Sequence, residues 1–342
     1  MSDLTYLQAT DRCVAALFAP GADFQRADLM RRLALAGEPC VSASVASPPP
    51  FSSGIAADGT PIELSVTVGA REPAAVRFLV QPTPNTPDGM PALRRAMTAL
   101  ARDVGCRETL PLMEALLDSL TAGQASHRGN FVAWLGLQQK GSAPPALKVY
   151  YNPWAYCLGS PVEWLFAVSR WTPWLAEGLA TLGEMFRLLP AAAPMILGLD
   201  ADARGLDCVK VYFMTNTADP CVVAPLLARW GTATQRRVWA LAQTEPGWER
   251  RYHAAGTEVD LAMRIRDNEP VTLKVNLFCP HLFSDDAEAL RAIAKWAQEG
   301  YGLTTELTWL ADALERTRVG AGRRFNFVGL GEEKLDVYFR PW

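Results

Sequence analysis

ALKVYYNP, residues 146–153, sets a charged side chain in a segment that otherwise reads as a β-strand. It is short, rich in β-branched and aromatic residues, and closed by Asn152-Pro153. Side chains on a strand alternate faces, so Leu147, Val149 and Tyr151 share one face and Lys148, Tyr150 and Asn152 the other. Four more segments align with it: AVRFLVQP (75–82), CVKVYFMT (208–215), TLKVNLFCP (272–280) and KLDVYFRP (334–341). Arg77, Lys210, Lys274 and Asp336 take the position of Lys148, and Leu79, Tyr212, Asn276 and Tyr338 that of Tyr150. Recurrence at roughly 60 to 70 residues is an internal repeat.

The rest of the repeat unit follows from periodicity. A second candidate strand precedes each of these segments: PIELSVTV (61–68), NFVAWLGLQQ (130–139), MILGLD (195–200), VDLAMRIRD (259–267) and RFNFVGLG (324–331). Between the strand pairs lie stretches with apolar residues three and four apart, such as SPVEWLFAVSRW (160–171) and SDDAEALRAIAKWAQEG (284–300). The chain therefore reads as α+β, with five copies of helix, helix, strand, strand, in a single domain over residues 1–342. Ten antiparallel strands remove their edges by closing, which predicts a ten-stranded antiparallel β-barrel surrounded by helices. The apolar strand faces, such as Val209, Val211 and Phe213, then meet the helices, and the faces bearing Lys and Tyr line a lumen wide enough for ligands.

Composition narrows the function. A net charge of −3 gives no general attraction to nucleic acid or to anionic membranes. The first residues, MSDLTYLQATDRC, lack a secretory apolar core, and the longest apolar run, LLPAAAPMILGL, is too short to span a bilayer. Seven scattered cysteines without a CxxC pair point to reduced thiols in a cytoplasmic protein. Three histidines, 127, 253 and 281, lack metal-ligand spacing, and His281 and RRYH (250–253) read as loop and helix-end residues. Most of the eleven tryptophans, including Trp154, Trp164, Trp171, Trp174, Trp230 and Trp239, read as packing between helices and barrel.

Like charges gathered inside a barrel repel and lose solvation, so Arg77, Lys148, Lys210 and Lys274 make sense around a shared polyanion the size of a diphosphate. The adjacent tyrosines offer π faces that stabilise a carbocation and keep water away. The pairing suggests ionisation of an allylic diphosphate. DGTPIELSVTV (58–68) adds Glu63 to the inner face, either as a base or hydrogen-bond acceptor or as a salt-bridge partner for a lysine. Trp134, Asn276 and Met214 are further candidates for the pocket wall.

Five ααββ repeats, K-x-Y strands and a G-T-P-x-E-L-S strand resemble the dimethylallyltryptophan synthase-type aromatic prenyltransferases over nearly the whole chain. The resemblance implies the αββα prenyltransferase barrel and transfer of a dimethylallyl group from dimethylallyl diphosphate to an electron-rich ring, usually an indole. It gives Glu63 the indole N–H, gives Arg77, Lys148, Lys210 and Lys274 the diphosphate, and gives Tyr150, Tyr212 and Tyr338 the shielding of the cation. It implies no required cofactor, magnesium included. The sequence has no DDxxD box; SDDAEAL (284–290) reads as a helix start capped by Ser284. The chain departs from the pattern at Cys208, Asn276, Lys274 and Asp336, with Lys334 and Arg340 on the face of Asp336. Two alternatives stand beside this reading: a magnesium-dependent enzyme of the same fold with a phenolic or polyketide acceptor, and a barrel that binds a prenyl diphosphate without turning it over.

Overall fold

A computed structural model describes residues 4–18, 23–56, 58–70, 73–121, 131–153, 169, 174–189, 193–215, 220–248, 259–304, 307–318 and 322–342. Its helices are α1 (Tyr6–Leu17), α2 (Asp23–Gly37), α3 (Met90–Val104), α4 (Leu110–Thr121), α5 (Leu175–Leu188), α6 (Pro220–Trp230), α7 (Ala233–Gln243), α8 (Cys279–Leu282), α9 (Asp286–Tyr301) and α10 (Thr308–Arg316). The strands are β1 (Ile62–Thr67), β2 (Ala75–Val80), β3 (Ala133–Gln139), β4 (Ala146–Tyr151), β5 (Ala193–Asp202), β6 (Gly205–Thr215), β7 (Val259–Ile265), β8 (Thr272–Phe278), β9 (Phe325–Leu330) and β10 (Leu335–Phe339). Much of SPVEWLFAVSRW, and Trp154, Trp164, Trp171 and RRYH, lie outside the described residues.

Each strand pairs antiparallel with its sequence neighbour, and β1 closes the ring onto β10 through Leu64 opposite Phe339 and Val66 opposite Val337. This is the ten-stranded barrel that the repeats imply. Alternation sorts the side chains. Val76, Phe78, Val209, Val211, Phe213, Val337 and Phe339 turn outward and are at most 2% exposed beneath the helices. Burying such a side chain is worth about 1.5–3 kcal/mol, so the outer faces fix which faces are left for the lumen.

Side-chain caps set where several helices begin. Thr5 and Gln8 form a capping box on α1, and Thr232 and Gln235 do so on α7. The Gln235 amide also donates to the Leu273 and Leu330 carbonyls, pinning α7 across the outer side of the barrel. Asp285, not Ser284, caps α9, because its carboxylate accepts from the Glu288 backbone N–H at 2.8 Å. His281 is likewise not in a loop; Cys279-Pro280 opens the short helix α8, which carries it. No helix among the described residues is long and apolar enough to cross a membrane.

Candidate active site

Two cavities occupy the barrel, one of about 300 Å³ and one of about 470 Å³. Tyr150, Tyr212 and Tyr338 line both. They come from β4, β6 and β10 and form a partition between a charged end and a largely apolar one. The Tyr150 and Tyr212 rings meet edge-on, 5.8 Å apart at 60°. Arg77 and Lys274 lie 5.6 and 4.9 Å from the centre of the Tyr338 ring, within cation–π range.

The charged end collects Arg77, Lys148, Lys210 and Lys274, each less than 9% exposed, together with Lys334. Two buried carboxylates, and not only a bound polyanion, offset their repulsion. Asp200 accepts from Lys148 at 2.6 Å and from Lys210. Asp336 accepts from Arg77 at 2.5 Å, Lys274 at 2.7 Å and Thr67 at 2.6 Å, and is fully buried. Burial alone would raise both carboxyls, but the cations outweigh it and hold Asp200 and Asp336 far below the usual carboxylate range. The lysines feel the converse. Burial, with repulsion from Lys210 and Arg77, pushes Lys148 well down. Burial brings Lys274 to about 8. Attraction to Asp336 opposes the fall at Lys334, but burial and the neighbouring cations bring it to about 8 as well. With Lys140, Arg204, Arg264 and Arg266 the cavity lining carries nine basic side chains, and with Asp202, Asp207 and Glu332 it carries five acidic ones, a formal excess of positive charge that a diphosphate neutralises.

Two glycines make room for this arrangement. A Cβ on Gly329 would come within 2.4 Å of Lys274 Cε, so only glycine lets Lys274 cross β9 to Asp336. A Cβ on Gly198 would touch the Tyr150 and Tyr212 rings at 3.2–3.3 Å, which places the two rings over that bare backbone.

The apolar end is walled by Leu79, Phe131, Trp134, Ile196, Phe278 and Phe327, with Glu63 and Asn276 among its polar members. Phe131 stacks on Trp134 at 3.7 Å. Trp134 Nε1 donates to Gln81 Oε1 at 3.3 Å, so this pocket tryptophan is held in place from the side. Asp58-Gly59 makes the turn before β1: Asp58 Oδ1 accepts from the Thr60 N–H at 3.1 Å, and Gly59 takes φ 80°. The strand that follows turns Glu63 inward. Its partner is the Asn326 amide, which donates at 2.8 Å, and not a lysine. Burial is the largest influence on Glu63 and pushes its carboxyl up to about 8, despite help from Asn326, Arg77 and Lys274. In the empty barrel it is therefore mainly protonated at pH 7, and not the salt-bridged carboxylate that was one of the two readings of its sequence.

The Met214 side chain lies outside the described residues. Arg340 does not join Asp336: the register shifts between Tyr338 and Phe339, and Arg340 instead pairs with Asp58 and donates to the Arg323 carbonyl at 2.6 Å. Asp200, Asp260 and Asn326 were not foreseen as site residues. For Asp200 and Asp260, inward parity with Gly198 and with Ala262 was the available signal. For Asn326 there was none, because it is the extra residue between Phe325 and Phe327, which face successive residues of β10. Among the described residues no cluster of three or more His, Cys, Asp or Glu side chains is placed to hold a metal ion.

No protein-family model matches the chain, and a search of curated proteins returns no match. Solved structures do. The 5-dimethylallyltryptophan synthase from Streptomyces coelicolor superposes with a TM-score of 0.74 at 19% identity, covering 98% of this chain and 97% of that one. The 6-dimethylallyltryptophan synthase from Micromonospora olivasterospora, in complex with DMASPP and Trp, gives 0.71 at 21% identity over 99% and 98%. AnaPT from Neosartorya fischeri gives 0.73 at 15% identity over 98% and 92%. End to end, the chain has the barrel fold of the dimethylallyltryptophan synthases.

Proposed function

We propose that the protein is an aromatic prenyltransferase that moves a dimethylallyl group from dimethylallyl diphosphate to an indole, without a required metal. The observation that carries this is the tyrosine partition. Tyr150, Tyr212 and Tyr338 touch both a cavity rich in cations and an apolar cavity holding a buried carboxyl. A prenyl diphosphate has a polyanionic head and an apolar tail, and the partition lies where its breaking C–O bond would sit. That the Micromonospora synthase was captured with DMASPP and Trp supports the same reading.

The chemistry follows from the parts. Arg77, Lys148, Lys210, Lys274 and Lys334 draw in the diphosphate and stabilise the charge that collects on it as the C–O bond breaks. Asp200 and Asp336 keep these groups aimed while the barrel is empty. The tyrosine rings spread their electron density around the allylic cation and keep water off it. The indole ring carbon attacks the cation, forming the new C–C bond, and the ring proton passes to the diphosphate just released, which restores aromaticity. Glu63, once ionised, accepts the indole N–H and so raises the ring's electron density.

Incubation with dimethylallyl diphosphate and a panel of indoles and phenols, with and without EDTA, tests this by mass spectrometry. The expected result is one isoprene unit added to an indole, unchanged by EDTA. Activity lost to EDTA or confined to phenols would support the magnesium-dependent alternative instead. Diphosphate binding without product from any acceptor would reduce the barrel to a binding protein.

A further inference from the structure

At its mouth, on the hairpin-turn end of the barrel, the charged cavity carries a second tier of arginines: Arg204, Arg264 and Arg266. Arg204 pairs with Asp202 in its own turn, and Arg266 with Glu269 on its own hairpin and with Asp207 of β6. Arg264 is placed differently. Strand β7 turns Asp260, Ala262 and Arg264 to the lumen, where Asp260 lines the apolar cavity and Arg264 the charged one. Arg264 lies opposite Lys210 on β6, and Ala262, its inward neighbour, lies opposite Lys274 on β8. Its backbone thus sits beside two of the inner cations. Its guanidinium nevertheless reaches across β8 to the β9–β10 turn, where one N–H donates to Glu332 Oε1 at 3.3 Å.

That pair is loose. It is a single contact, long beside the 2.5 and 2.7 Å contacts of Asp336 with Arg77 and Lys274. The Glu332 side chain is 33% exposed, so water screens its charge. A guanidinium carries five N–H donors in a planar fork, and one donated to Glu332 leaves the others for a second anion. Glu332 itself is kept at the mouth by contacts that do not involve Arg264. Its carbonyl accepts from Thr232 Oγ1 at 3.2 Å, and the Gly331 carbonyl accepts from the Tyr301 hydroxyl at 2.9 Å. The cap of α7 and the end of α9 therefore fix the turn that carries this carboxylate.

We propose that Arg264 is a further diphosphate-binding residue, outside the ring of cations on the Lys-x-Tyr strands, and that Glu332 competes with the diphosphate for it. When the anion enters, Arg264 exchanges one partly hydrated carboxylate oxygen for the oxygens of a multiply charged phosphate. When the product diphosphate leaves, Glu332 takes Arg264 back, so the guanidinium is not left without a counter-ion. The competition weakens binding and speeds the exit of the diphosphate. This rests on the prenyl-transfer reading for the identity of the anion and deepens it with a device for release.

Titration calorimetry of the intact protein with inorganic diphosphate is the test. Arg264→Ala should weaken binding about 10- to 100-fold, the range for a lost hydrogen bond to a charged group. Glu332→Gln should tighten it about two- to fivefold, the range for removing a partly exposed ion pair that competes, and stopped-flow release of diphosphate should slow to match. In the Arg264→Ala background, Glu332→Gln should bring no gain. Arg264→Lys keeps the charge and loses the planar fork; it is the second variant if Arg264→Ala does not fold, and it too should bind more weakly than the wild type. Unchanged affinity in the Arg264 variants would overturn the inference. So would an equal gain from Glu332→Gln with and without Arg264, which would show that Glu332 acts only through the general field of the cavity. Diphosphate binding with the expected pattern but no prenylated acceptor would sink the prenyl-transfer reading and keep this one; prenylation with wild-type diphosphate affinity in Arg264→Ala would do the reverse.

Discussion

Lys274 reaches Asp336 across an intervening strand. Its Nζ lies 2.7 Å from the carboxylate and 2.6 Å from the Tyr338 hydroxyl, with β9 between their two strands. The crossing is possible because Gly329, opposite Asp336 in β10 and Asn276 in β8, offers no side chain. One lysine thereby ties the charged cavity to the tyrosine partition.

Gly329→Ala should break that tie. The added methyl would occupy the path of the Lys274 side chain and displace it from Asp336 and Tyr338. Affinity for a non-ionising analogue of dimethylallyl diphosphate should fall about tenfold or more by titration calorimetry, as when a charged hydrogen-bonding group is lost. Gly198→Ala, with its looser contacts at 3.2–3.3 Å to two ring edges, should cost less.

Asp336→Asn should destabilise the empty protein and make it more dependent on its ligand. Removing the carboxylate leaves Arg77 and Lys274 buried and without their shared counter-ion, a loss of about 3–5 kcal/mol for a broken buried ion pair. Inorganic diphosphate replaces the missing negative charge. In thermal melts the variant should start lower than the wild type and gain more from diphosphate. An equal gain in both would show that Asp336 does not compete with the anion.

Donor binding should weaken as pH rises through about 8. Lys274 and Lys334 stand near 8 in the empty barrel. A bound anion favours their charged forms, so binding takes up protons, and affinity is greatest below pH 8. Calorimetry of the same analogue in buffers of differing ionisation enthalpy should show net proton uptake at pH 8.

Glu63 has the opposite sign. Its carboxylate, the form that accepts an indole N–H, predominates only above about 8. Turnover of a neutral indole at saturating donor should therefore rise with pH to that point. Glu63→Gln should lower kcat by about 100-fold or more and flatten this rise while donor binding persists. It should also raise the melting temperature at pH 8.5. The folded state binds more protons at Glu63 than the unfolded one between about 4.5 and 8, so ionising the buried group costs stability as pH rises, and glutamine removes that cost.

The barrel was legible in the sequence because its two signals are local and repeated. Period-two alternation marks each strand, and the Lys-x-Tyr pattern marks the inner face of β4 and β6. Parity alone brought Lys148, Lys210, Tyr150 and Tyr212 to the lumen. Pairing between distant strands is not written locally. Asp200 looked like the end of a strand, and its hold on Lys148 and Lys210 depends on the register of β4 and β6 on either side of it. Asn326 reaches Glu63 from a bulge that strict alternation cannot foresee. The protonation of Glu63 depends on how completely the closed barrel removes water, which no short window of residues contains.

Closure of the ring also governs when the site first exists. Thr67 and Asp336, joined at 2.6 Å, are 269 positions apart in the chain, and Arg77 and Asp336 are 259 apart. The half of the cluster around Asp200 needs only β4, β5 and β6, whereas the half around Asp336 is completed only when β10 docks beside β1. Such long-range pairing is slow to form. During synthesis, a ribosome-bound chain that has not yet released its last strand would hold four hairpins with lysines and a buried-type carboxyl but no Asp336 to neutralise Arg77 and Lys274. That unfinished sheet has two open edges, and it is the species for which a chaperone's protection matters most.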